Sequence, residues 1–159
     1  MKILIVSDTH RKNENYWKVL RLHSPLDMVI HCGDSEGSES SLNQGSDCQV
    51  RFVLGNNDYF SSLPQELEFQ LGKYKVWVTH GHSYRVSLGN DWLKKEARAK
   101  GADIVLYGHT HRPVVDYSKG VIAVNPGSLS YPRQDGRRPS YVVMEIDRKG
   151  EAHFTISYL

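Results

Sequence analysis

With 159 residues the chain can bury roughly 70% of the surface its unfolded form exposes, so it needs no disulfide or structural zinc to hold it. Its 20 basic and 18 acidic side chains leave a net charge of +2 with no basic block or stripe, which excludes a charge-driven binder of long duplex nucleic acid. Cys32 and Cys48 form no C-x-x-C, no apolar run approaches the roughly 18 residues of a membrane span, and Met1 leads straight into a strand-like run. The expectation is one reduced, cytoplasmic domain over residues 1–159.

In chain order, residues 2–7 read as a strand built on Ile3, Leu4, Ile5 and Val6, ending at Asp8. Tyr16, Val19, Leu20 and His23 fall at i, i+3, i+4 and i+7, one face of a helix. Met28, Val29 and Ile30 predict a strand before Asp34, and residues 35–47, rich in Ser, Gly, Glu, Asn and Gln, predict a loop. Phe52, Val53 and Leu54 run into Asn56, and Val76, Trp77 and Val78 run into His80. Residues 90–100 predict a helix with Asn90 as N-cap, Asp91 in the first turn and Gly101 as the stop. Its Lys94, Lys95, Arg98 and Lys100 read as dipole matching and solvation. Ile104, Val105 and Leu106 then lead to His109.

Beyond this point the pattern turns to hairpins. Strands are predicted over 114–117, 121–125, 141–146 and 152–158, with turns at 118–120 and 147–150. In the last strand Ala152, Phe154, Ile156 and Tyr158 are expected inside, with His153, Thr155 and Ser157 facing water. Residues 128–139 form a loop expected to shape a substrate entrance.

Five apolar runs thus end in polar residues, and one buried parallel sheet would set all their ends along one edge. The residues gathered there are Asp8, His10, Asp34, Asn56, His80, His109 and His111. Such a set suits Mn²⁺, Fe²⁺, Co²⁺, Ni²⁺ or Zn²⁺, and the scarcity of Cys argues against a thiolate-rich structural zinc site. Asp and Asn alone could be helix caps, but caps need no histidine. Seven ligands exceed what one ion uses and suit two ions sharing a carboxylate. A pair of divalent ions clamps the oxygens of an in-line displacement at phosphorus, which points to phosphoester hydrolysis. His23, His31 and His153 read as packing or solvent-facing residues, and Arg11, Arg112 and Arg133 as candidate contacts to phosphate oxygens.

The ordered motifs Asp8-Thr9-His10, Gly33-Asp34, Gly55-Asn56-Asn57-Asp58, His80-Gly81-His82 and Gly108-His109-Thr110-His111 resemble those of the calcineurin-like metallophosphoesterases. With Asn125-Pro126-Gly127-Ser128, the chain resembles their small bacterial and archaeal phosphodiesterase branch. The resemblance implies an α/β fold, a four-layer α/β/β/α sandwich of two facing mixed sheets. It implies that Asp8, His10, Asp34 and His111 hold one ion and Asn56, His80 and His109 the other, with Asp34 as bridge and a hydroxide between the ions as nucleophile. The implied cofactors are two divalent ions, Mn²⁺ first, with Ni²⁺, Co²⁺, Fe²⁺ or Zn²⁺ as others.

Where many members have Gly-Asn-His followed by an acid, this chain has Asn57 and Asp58; Asn57 can donate a hydrogen bond but supplies no proton near neutral pH. Asn57, Asp58 and His82 are the catalytic candidates, His82 turning either toward substrate or behind the ligands. The expected function is hydrolysis of a small or nucleotide-like phosphodiester, with no membrane partner and homo-oligomerisation open. The rival is a non-catalytic scaffold, since a eukaryotic retromer subunit resembles the same family; that scaffold lacks a histidine at the position of His10.

Overall fold

A computed structural model describes residues 1–159, apart from the side chain of Lys119. Strand β1 (Lys2–Val6) sends Ile3 and Ile5 to one side and Leu4 and Val6 to the other, and all four are fully buried. A strand apolar on both faces must be covered on both. It lies between β2 (Met28–His31), parallel to it, and β9 (Ser140–Ile146), antiparallel. β3 (Gln49–Phe52) and β10 (Ala152–Tyr158) complete a sheet ordered β10-β9-β1-β2-β3.

The second sheet is ordered β4-β5-β6-β8-β7, from β4 (Glu66–Leu71), β5 (Tyr74–Thr79), β6 (Ile104–Leu106), β7 (Pro113–Asp116) and β8 (Ile122–Pro126). Its centre, β5-β6-β8, is parallel, and its edges β4 and β7 are antiparallel to their neighbours.

The sheets face each other across a core in which Ile3, Ile5, Ile30 and Met144 meet Val76, Val78, Leu106 and Val124. Behind the first sheet, Leu4, Val6 and Val29 pack on Tyr16, Val19 and Leu20 of α1 (Glu14–His23) and Leu42 of α2 (Glu39–Gln44). Behind the second, Trp77, Val105 and Ala123 pack on Leu93 and Ala97 of α3 (Asp91–Ala99). The architecture is the four-layer α/β/β/α sandwich. No helix among the described residues is long and apolar enough to cross a membrane.

Several expectations change. The apolar runs do not end on one sheet: β1, β2 and β3 belong to the first and β5 and β6 to the second, so the polar ends meet across the interlayer gap. Residues 35–47 contain α2, whose short apolar face is Leu42 alone. Leu67, Phe69 and Leu71 alternate at period two in β4, a strand that the expectations above do not include. Asn90 sits at the N-cap of α3 without a side-chain cap bond, its amide donating instead to Asp116 Oδ2 at 3.1 Å. Lys94 is not solvated: it is fully buried, with Nζ 2.7 Å from Asp116 Oδ2 and donating to Ser118 O and Oγ. Tyr158 is exposed at the end of β10, beside the Arg138 guanidinium, rather than in the core.

Candidate metal centre

The C-terminal ends of the parallel strands bring the candidate ligands to one edge of the sandwich. Two hydrogen bonds stitch the sheets there: His109 N–H donates to Asp8 Oδ2 at 3.1 Å, and His80 Nδ1 lies 2.7 Å from the Cys32 carbonyl oxygen. The backbone is bent to aim these groups. Asp8, His10, Asp34, His109 and His111 all have φ between 46° and 69°. Left-handed conformations in non-glycine residues cost on the order of 1–3 kcal/mol each and cluster at functional sites.

Three imidazoles share one arrangement. His10 Nδ1 lies 2.6 Å from Glu36 Oε1, His80 Nδ1 2.7 Å from Cys32 O, and His111 Nδ1 2.7 Å from Tyr131 O. These oxygens only accept, so each ring carries its hydrogen on Nδ1 and turns Nε2 toward the carboxylates. His111 Nε2 is 3.0 Å from Asp8 Oδ1, His10 Nε2 3.8 Å from Asp8 Oδ1 and from Asp34 Oδ2, and His80 Nε2 3.5 Å from Asp34 Oδ2. Asn56 Oδ1 lies 3.1 Å from His80 Nε2 and 2.8 Å from His109 Nδ1. All seven candidate ligands are therefore brought together.

Electrostatics marks the same centre. Burial pushes the Asp8 carboxyl upward, but His111 and His80 outweigh it and hold it below its ordinary range. Asp34 is likewise pushed up by burial and held well below by His80 and two Asn57 N–H groups. Burial would lower His80; Asp34 and Asp8 reverse this and lift it to about 9. Two buried carboxylates thus draw positive charge into the centre. Asp8 Oδ1 is buried without a hydrogen bond that meets geometric criteria, with His111 Nε2 3.0 Å away. Buried carboxylate oxygens, imidazole nitrogens aimed at them and an amide oxygen are the donors a divalent cation takes, the ion replacing the positive charge the carboxylates draw in, so the residues fit a metal. Asp8, His10 and His111 form one cluster of ligand atoms, and Asp8, Asp34 and His80 another.

Two glycines make the approach. A Cβ on Gly55 would sit 2.1 Å from Asp34 Oδ1, and one on Gly108 2.0 Å from Ser7 Oγ and 2.8 Å from Asp8 Oδ2. Any side chain at either position would displace a candidate ligand.

Among the catalytic candidates, Asn57 does not face the mouth: its Nδ2 donates to Asp34 Oδ2 at 2.7 Å and its backbone N–H to Asp34 Oδ1 at 2.8 Å. Asp58 is buried and accepts from the backbone N–H groups of Asp34, Gly55 and Glu36 at 2.8, 2.7 and 2.6 Å, so it positions both ligand loops instead of meeting substrate. His82 is exposed, its ring centroid 5.5 Å from that of His80 and 6.1 Å from that of His109. Arg11 uses Nε on the Glu36 carbonyl, whereas Arg112 and Arg133 line a cavity beside His10 and His111.

His31 is a packed, neutral histidine between Thr9 and Gly33, lowered to about 4 chiefly by burial. His23 pairs with Tyr141, and His153 with Asp147 in solvent. Asn125 and Ser128 tie loops together: Asn125 Nδ2 donates to Gly108 O and Ser128 Oγ to Asp8 O. Sequence reasoning missed Glu36 and Tyr131, the partners of His10 and His111. Glu36 carried one signal, a carboxylate two residues after a candidate ligand; a backbone acceptor such as Tyr131 O carries none.

Residues 1–149 match the family model for the calcineurin-like phosphoesterase superfamily domain. A probable metallophosphoesterase of Mycoplasma genitalium is 30% identical over 99% of this chain and 95% of its own. A crystal structure of a predicted phosphoesterase from Streptococcus pneumoniae superposes with a TM-score of 0.80 at 31% identity, covering 99% of this chain and 97% of that one. The structure of an archaeal phosphodiesterase does so with a TM-score of 0.76 at 25% identity, covering 99% of this chain and 100% of that one. Vps29 of Entamoeba histolytica, at 21% identity and a TM-score of 0.80 over 100% of this chain and 99% of that one, shares the fold alone. With the family match spanning nearly all of the chain and the strand-end Asp, His and Asn residues converging as described, this protein belongs to the calcineurin-like phosphoesterase superfamily.

Proposed function

We propose that the chain is one metallophosphoesterase domain over residues 1–159, a cytoplasmic phosphodiesterase holding two divalent ions, Mn²⁺ by preference, and hydrolysing a small or nucleotide-like phosphodiester. The observation that carries the two-ion reading is the position of Asp34 Oδ2, 3.8 Å from His10 Nε2 and 3.5 Å from His80 Nε2. One carboxylate oxygen thus faces both groups of ligands: Asp8, His10 and His111 on one side, Asn56, His80 and His109 on the other. When bound, the ions supply Lewis acidity and acidify water near neutral pH.

The chain's own residues do the rest. Glu36, Cys32 O and Tyr131 O fix the imidazole tautomers, and Asn57 clamps Asp34. Asp58 holds the loops from which Asp34 and Asn56 project. His82 stands at the mouth as the imidazole outside the ligand set, placed to hold a proton at a leaving oxygen. With Asn57 spent on Asp34, acid assistance is weak, and diesters with phenolate-like leaving groups are the favoured substrates.

The test is metal analysis of the purified protein together with a panel of aryl and alkyl phosphoesters. About two ions per chain are expected, with diester turnover lost on chelation and a rate that falls steeply with leaving-group pKa. Asp34→Asn should lower both metal content and turnover; an Asp34→Asn protein equal to wild type in both would end the two-ion reading. The scaffold reading draws on the fold shared with Vps29, but the full set of aimed histidines, His10 included, favours the enzyme. Absence of turnover on every diester would reverse that preference.

A further inference from the structure

Beside the candidate metal centre lies a cavity of about 630 Å³ whose wall includes His10, His111, Tyr131, Arg112, Arg133 and Arg137. Among the described residues no carboxylate lines it. Arg112, Arg133 and Arg137 are exposed, and among the described residues none of their guanidinium groups makes a hydrogen bond or ion pair. The positive charge is thus left without internal partners, unlike that of Arg11 or Arg138, which donate to Glu36 O and Leu159 O. Lys12 adds another cation at the same rim, its ammonium 4.3 Å from the centroid of the Tyr131 ring.

The loop carrying Arg133 and Arg137 is built onto the ligand loops. Ser130 Oγ donates to Thr9 O at 2.6 Å, Ser128 Oγ to Asp8 O at 2.8 Å, and Arg133 N–H to His111 O at 3.0 Å. The same loop supplies Tyr131 O to His111. The arginine wall and the histidines are therefore held in fixed relation, and a phosphodiester seated at the metal centre would extend one arm along this wall.

We propose that the cavity is a subsite for a second phosphate group carried on that arm, making the substrate a phosphodiester with an additional terminal phosphate. Guanidinium groups bind phosphate oxygens as planar, charge-assisted forks, and a doubly charged terminal phosphate is the group that unpaired arginines in a carboxylate-free cavity select. Lys12 lies over the Tyr131 ring, and His10 meets that ring at 74° with centroids 5.3 Å apart. The feature the wall selects is the charge of the added phosphate.

This inference rests on the phosphodiesterase reading, and the experiment separates the two. Metal-loaded protein is assayed for kcat/KM on ApA and on ApA bearing a 5′- or a 3′-phosphate. A glycerophosphoglycerol pair, with and without a terminal phosphate, is run beside them. One phosphorylated form should exceed its unphosphorylated partner by roughly tenfold or more. The ratio should fall toward one in Arg133→Gln/Arg137→Gln, and taking it within a single protein cancels any general loss of activity. A gain in the nucleotide series alone assigns the arm to a nucleotide, and a gain in both assigns recognition to the phosphate itself; either supports the subsite. A ratio near one in both series, alongside ready hydrolysis of bis(p-nitrophenyl) phosphate, overturns the subsite and leaves the phosphodiesterase reading standing. A ratio unchanged in the double variant also overturns it. Failure to hydrolyse any diester removes both.

Discussion

His10 reaches the centre because Glu36 holds its other nitrogen. The 2.6 Å contact between His10 Nδ1 and Glu36 Oε1 fixes the tautomer and makes Nε2 a better donor. Glu36→Gln keeps the shape and removes the charge. It should weaken metal affinity by about 10–100-fold, read by competition with a chelating dye, with the fold unchanged by circular dichroism. Equal affinity in the variant would reduce Glu36 to a loop residue. The candidate ligands were legible in the sequence because Asp, His and Asn after apolar runs are informative by type. Glu36 and Asn57 show the limit: Glu36 was one acid in a polar stretch, and Asn57 was read by the residue it replaces. Its real partner, Asp34, lies on another loop and no local pattern names it.

Among the elements, the turn after β6 and helix α3 carry opposite lessons. A Cβ at Gly108 would meet Ser7 Oγ at 2.0 Å and Asp8 Oδ2 at 2.8 Å, so Gly108→Ala must push β6 and β1 apart at the centre. The cost should be about 1–3 kcal/mol in urea unfolding, with metal content falling further than stability alone explains. A variant matching wild type in both measurements would show that the turn yields without strain.

In α3 the sequence offered only a basic run, and periodicity could not say that Lys94 turns inward. Its fully buried ammonium has Asp116 as its ion-pair partner. Asp116→Ala leaves that charge buried without its partner and should cost about 3–5 kcal/mol, more than Lys94→Met, which removes the charge and keeps the packing. The reverse order would remove the pair from the account. Asp116 is held well below its ordinary range by Lys94, so its contribution is present above about pH 4 and fades as pH falls toward its folded value. Asp116→Asn should flatten the acid limb of the stability curve.

Over the whole molecule, apolar patterning disclosed a β-α part followed by hairpins; the layers were implied by the family resemblance, and patterning did not divide the parallel strands between two sheets. Strand partners are long-range facts, and β4 was overlooked although it alternates cleanly. The centre joins the two sheets through few bonds, so bound metal should act as a tie between them. Chelation should lower the melting temperature, removing roughly the few kcal/mol of stability that ligand linkage supplies, and should speed amide exchange at the strand ends before the strand centres. Uniform exchange across both sheets would contradict this.

The order of the first sheet has a further outcome for how the protein comes into being. β1 precedes β9 in chain order yet has it as a neighbour, and the Met1 ammonium donates to Ile146 O at 2.9 Å. Asp8 and His10 are synthesised before residues 140–146 and lack one flank of their scaffold until those emerge. A nascent chain therefore carries two of its metal-seeking side chains before the sheet beneath them can close, and the centre reaches its final geometry only once β9 has paired with β1.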